Sequence, residues 1–92
     1  MKIIINTCYG GFGLSEEALA LFNERSGTVN TYDPGIPRNN PILVEIVEQL
    51  GEAADGGHAE LKVVEIPDDV KWHIHEYDGW ETIHEDHRVW GD

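Results

Sequence analysis

Cations are scarce in this chain. Six lysines and arginines stand against eighteen aspartates and glutamates in 92 residues, a formal charge of −12 at pH 7. Non-specific binding to nucleic acid runs on Lys and Arg contacts to phosphate, so direct binding to nucleic acid is not expected. The acidic field attracts basic protein surfaces, and it also keeps a small protein soluble. Cysteine is nearly absent. The lone Cys8 excludes an internal disulfide and a Cys-rich zinc site, and one unpaired thiol fits a reducing compartment. Long apolar runs are missing as well, and nothing approaches the roughly 18 residues of a membrane span. Met1-Lys2-Ile3-Ile4-Ile5 has a positive start, but its apolar run stops at Asn6. That is too short for a signal peptide, and the expectation is a cytoplasmic protein. No linker, repeat or low-complexity segment divides the chain, so a single domain, 1–92, is expected.

What is present reads as short alternating elements. Residues 2–8 form a strand, and the consecutive Ile3, Ile4 and Ile5 suit a strand covered on both faces. A helix follows from Ser15, which can cap the free N–H groups of the first turn, with Glu16 and Glu17 at the positive end of its dipole. Leu14 and Leu19 can form a hydrophobic staple, and Gly27 supplies a left-handed stop. Residues 28–32 are strand-like but short and polar, an edge strand or an extended loop, and a turn-rich connection runs from there to Asn40. Asn40-Pro41 then gives a cap followed by proline at the first helical position. Ile42, Leu43, Ile46, Val47 and Leu50 recur at helical spacing, and Gly56-Gly57 breaks the chain. Residues 59–66, 71–77 and 80–85 read as strands, the last two joined at Asp78-Gly79, a strong signal for a type I′ hairpin. The order β-α-α-β-β-β implies a two-layer α+β domain. Strands one and two, joined through helices, are expected to lie parallel, and the last three antiparallel, giving a mixed sheet.

The stretch Cys8-Tyr9-Gly10-Gly11-Phe12-Gly13-Leu14-Ser15 is the place most suited to present backbone N–H groups to a ligand. A glycine-rich turn between strand and helix allows close approach, and the helix N-terminus favours an anion. The dinucleotide fingerprint needs a further glycine where Glu16 stands, the phosphate loop of NTPases needs a lysine that is absent, and both glutamates repel phosphate. A highly charged triphosphate is therefore disfavoured. A modestly charged nucleotide-derived ligand remains, stacked on Tyr9 and Phe12, with N–H groups from Gly10, Gly11 and Gly13, the Ser15 hydroxyl, and charge from Arg38 or Arg88 beside Trp90. The glycines can equally serve only to make a tight turn. Cys8 sits beside a helix start, but an arginine placed as in phosphatases is missing, because Leu14 occupies that position. A buried structural cysteine is the expectation.

The two-residue turn fixes the hairpin register, pairing Tyr77 with Trp80, Glu76 with Glu81, His75 with Thr82, Ile74 with Ile83 and His73 with His84. Ile74 and Ile83 share the face expected to meet the core. His73, His75 and His84 share the other, where three imidazoles could approach a tetrahedral metal, or form a solvated polar face. No metal or cofactor is expected. Tyr77 and Trp80 can contribute to a contact patch. Glu76 opposite Glu81 is unfavourable unless a cation or basic side chain sits between them or, near the turn, both simply reach water.

The Cys8–Ser15 string, Ile36-Pro37-Arg38, the run from Glu60 to Pro67, Glu76-Tyr77-Asp78-Gly79, and His87-Arg88 with Trp90 together resemble a family of small acidic proteins of tailed bacteriophages and prophages. The resemblance covers nearly the whole chain. It implies a phage setting and no catalytic residues, and it does not require histidine at positions 73, 75 or 84. By analogy of class, such proteins occlude a host protein, mimic nucleic acid or sequester a nucleotide signal. The leading expectation is a non-enzymatic, homo-oligomeric anti-defence protein binding a small nucleotide-derived ligand at the glycine turn. An acidic inhibitor or nucleic-acid mimic docking on a basic host protein is the alternative, and a small metal- or thiol-dependent enzyme the second.

Overall fold

A computed structural model describes residues 1–27 and 36–85. The expected segment 28–32, most of the connection after it, and Arg88 and Trp90 lie outside the described residues. Strand β1 spans Lys2–Asn6, helix α1 Glu16–Ser26 and helix α2 Pro41–Leu50. A 3-10 turn at Gly51–Ala54 follows, then strands β2 (Leu61–Glu65), β3 (Trp72–Tyr77) and β4 (Trp80–Glu85). The protein is α+β with the element order read from its sequence.

Each helix starts where its local chemistry dictates. The Ser15 side chain accepts the Ala18 N–H, and Gly27, at φ 73°, ends α1 in the left-handed conformation. Asn40 accepts from the N–H groups of both Ile42 and Leu43, and Pro41 opens α2. The face of α2 formed by Leu43, Val44, Ile46 and Val47 is buried together with Ala18, Phe22, Ile36, Ala54 and Ile4 of β1. Leu14 and Leu19 pack on the same cluster from its margin. Ile3 and Ile5 alternate to the other side of β1 and are buried too, so the strand is covered on both faces.

The strand pairing differs from expectation. β1 and β2 pair antiparallel, with Ile4 opposite Val63, and β3 and β4 form a separate antiparallel pair. There is no parallel crossover and no mixed sheet among the described residues, and β2 belongs with β1, not with the hairpin. The cause lies in the pair of helices. The Ser15 N–H donates to the Ala54 carbonyl, and Leu14 bridges Asp55, so α1 begins beside the point where α2 and its 3-10 turn end. One crossover helix would deliver the chain to the opposite end of the sheet. Two helices running out and back return it to the end it left, where the Thr7 N–H meets the Glu60 carbonyl at 2.8 Å.

The hairpin keeps the full predicted register, and Asp78 and Gly79 both have positive φ, 55° and 94°. Ile74 and Ile83 are half-buried, and the histidine face is exposed. β4 lies against the side of β1 that β2 leaves open, where the N–H groups of Ile4 and Asn6 point outward. Ile4 donates to the Arg38 carbonyl at 2.9 Å, and Asn6 to Glu81 Oε1 at 2.9 Å. Among the described residues, no helix is long and apolar enough to cross a membrane.

Candidate functional site

The glycine turn is one of three turns that meet at the end of β1. The others are the segment around Gly56 to His58 and the hairpin turn at Asp78-Gly79. Their backbones approach so closely that side chains are excluded. A Cβ on Gly10 would stand 1.8 Å from the His58 carbonyl oxygen, and one on Gly56 would stand 2.8 Å from the Gly13 carbonyl carbon. A Cβ on Gly79 would stand 2.6 Å from the Tyr9 carbonyl oxygen. The Gly56 N–H donates to the Gly13 carbonyl at 2.9 Å. Gly10 and Gly13 therefore serve turn-to-turn packing, while Gly11 supplies a positive φ of 91°.

Asn6, with 0% exposure, ties this junction together from beneath. Its side-chain amide donates to the carbonyls of Cys8 and Gly79, both at 2.7 Å, and its Oδ1 accepts the Glu60 N–H at 2.8 Å. The Cys8 thiol lies 3.1 Å from the His58 carbonyl and 3.4 Å from Asn6 Oδ1, a half-buried group inside the same network. Asn6 was missing from the sequence-derived site. The signal for it was present: strand alternation places residue 6 on the face of Ile4, and a polar side chain there must find partners.

Arg38 resolves the Glu76–Glu81 conflict. Glu81 is buried, and its two carboxylate oxygens meet Arg38 Nη1 and Nη2 at 2.5 and 2.9 Å. Glu76 turns instead to accept the Gly79 N–H. The Arg38 guanidinium also lies 3.5 Å over the centroid of the Phe12 ring. A basic side chain thus meets Glu81, Glu76 is held by the turn, and the charge of Arg38 is met. Lys2 and Arg25 are also paired, with Glu48 and Glu45. Hydrogen bonding and attraction to Glu48 raise the Lys2 pKa above its ordinary value.

The expected ligand residues are therefore divided. Ser15 Oγ donates to the Ala53 carbonyl at 2.7 Å and accepts from Ala18 at 3.1 Å, so it holds the helix start. Phe12 lies under Arg38. Tyr9 leaves the turn for the hairpin, with its ring centroid 5.2 Å from that of Trp80 and the planes at 58°. The N–H groups of Gly10, Gly11 and Phe12 donate to no described residue.

Beside the turn, Tyr9, His75, Tyr77, Trp80 and Thr82 line an open groove of about 240 Å³. Tyr9, Tyr77 and Trp80 are 66%, 71% and 40% exposed. Tyr77 and Trp80, candidates for a contact patch, are joined by a third ring from the glycine turn, a neighbour that only the tertiary fold supplies. Farther along the same face, the His84 ring centroid is 5.6 Å from that of His73 and 5.2 Å from that of His75. His84 Nε2 is hydrogen-bonded to Thr82 Oγ1 at 2.9 Å. Among the described residues, no three or more His, Cys, Asp or Glu side chains are grouped to hold a metal ion.

No family model matches the chain, and neither the curated proteins nor the solved structures contain a significant match to it.

Two outcomes check this geometry. Gly10→Ala drives a Cβ into backbone and should lower the unfolding free energy by about 2 kcal/mol or more. Gly57→Ala, with nothing within 4 Å and an unstrained φ, should change it by no more than about 0.5 kcal/mol. Urea unfolding measures both. Arg38→Met leaves the Glu81 carboxylate buried without its cation and should cost about 3 kcal/mol. Adding Glu81→Gln, which keeps an acceptor for Asn6, should restore part of that loss in a double-mutant cycle.

Proposed function

We propose that this is a non-enzymatic binding protein that docks on a basic protein surface and acts by occluding it. The observation that carries this reading is the exposed three-ring groove, which no lysine or arginine lines. Arg38 is engaged by Glu81 and is not among the groove residues. The formal charge of −12 favours encounter with basic partners. The resemblance to small acidic phage proteins supplies a setting in which occlusion of a host protein is a familiar strategy. Candidate nucleophiles do not favour an enzyme: Ser15 holds a helix start, and Cys8 is directed at a backbone carbonyl.

A second reading keeps the nucleotide-derived ligand at the glycine turn. It is favoured by the N–H groups of Gly10, Gly11 and Phe12, which have no described acceptor and adjoin Tyr9. It is weakened because Ser15, Arg38 and Phe12 are already engaged. Whether a second copy of the chain completes either site is part of the same proposal and is read by sedimentation.

Affinity capture from bacterial lysate, followed by identification of the retained species, separates the two readings. Docking predicts a basic protein held in stoichiometric amount at low salt and released at high salt. Retention of a nucleotide, with a matching rise in melting temperature and no protein partner, would contradict it.

A further inference from the structure

We propose that the groove between Tyr9, Tyr77 and Trp80 is a seat for an arginine side chain of the basic partner. The assignment deepens the docking role proposed above and depends on it. Aromatic faces carry negative electrostatic potential, and several rings around one opening attract an organic cation. The remaining lining residues, His75 and Thr82, are polar. The hairpin from residue 72 to 85 contains no lysine or arginine but carries Glu76, Asp78, Glu81 and Glu85. Strand alternation places Glu76, Glu81 and Glu85 on the opposite face, and Glu81 is engaged by Arg38, so a guanidinium entering the groove meets the rings themselves, with no cation of the hairpin to oppose it and the net negative charge of the chain to attract it.

Size and rigidity point the same way. At about 240 Å³ the groove is smaller than the roughly 300–1,000 Å³ of sites that enclose drug-sized ligands, and it suits a single long side chain. The backbone beneath it is held in advance. Asn6 fixes the carbonyls of Cys8 and Gly79, and Gly79 packs closely on the Tyr9 backbone, whose ring stands 5.2 Å from that of Trp80. A fixed backbone lowers ordering costs on binding. The chain also contains an internal example of the chemistry, because the Arg38 guanidinium lies 3.5 Å over the Phe12 ring centroid while a carboxylate meets both of its terminal nitrogens. Arginine suits such a seat better than lysine because its guanidinium is planar, less strongly hydrated and stacks on rings.

The test uses the full chain with fluorescently labelled hexa-arginine and hexa-lysine peptides and with ADP-ribose. Affinities are measured over a salt series for the wild type, Tyr77→Ser and Trp80→Leu, with circular dichroism as the check on folding. The expected result is tighter binding of hexa-arginine than of hexa-lysine. Each substitution should weaken hexa-arginine about fivefold and leave the salt slope unchanged, because no charge is removed. Equal affinity of wild type and both folded variants for hexa-arginine would overturn the groove while leaving field-driven docking in place. Failure of the wild type to bind either peptide would overturn both. Binding of ADP-ribose in preference to the peptides would overturn the arginine seat in favour of a ligand at the glycine turn.

Discussion

Asn6 is the constraint on which the functional end of the molecule depends. It closes a strand of buried isoleucines, and it is itself wholly buried. Its side chain holds the glycine turn through the Cys8 carbonyl, the hairpin through the Gly79 carbonyl and the entry to β2 through the Glu60 N–H. Its backbone N–H holds the Glu81 carboxylate. The adjoining glycine turn and two segments more than fifty residues away are fixed by one residue whose side-chain polar atoms are all met by partners. Leaving such partners unmatched inside a protein costs about 1–3 kcal/mol each, so the network favours a single arrangement.

Glu81 extends this network to Arg38, and Arg38 extends it to Phe12. A buried ion pair of this kind contributes little net stability compared with apolar packing, but it is costly to break on one side. Its effect here is on the glycine turn, where the cation over Phe12 has its charge already met by Glu81. The proposed docking role rests instead on the exposed rings of Tyr9, Tyr77 and Trp80 beside that turn.

Much of the fold was legible from local rules. Both caps, the left-handed stop at Gly27, the proline start of α2 and every pair of the β3–β4 hairpin follow from residue types and turn chemistry. The pairing of β1 with β2 was not legible, because its direction depends on how α1 and α2 pack, which no local pattern states. The candidate site was legible in parts. Tyr77 and Trp80 were identified as a patch, and the Glu76–Glu81 pair signalled a missing cation, yet nothing in the sequence says that this cation is Arg38. Glycines at a turn look alike whether they cradle a ligand or admit another backbone. Only the approach of His58 to Gly10 and of Tyr9 to Gly79 distinguishes the two uses.

Amide hydrogen exchange tests the central claim most directly, because it reads the junction residue by residue. A turn clamped from beneath and open above predicts that the Asn6 and Glu60 amides exchange only as slowly as global unfolding allows, while those of Gly10 and Phe12 exchange rapidly. Rapid exchange at Asn6 and Glu60, or strong protection at Gly10 and Phe12, would contradict it.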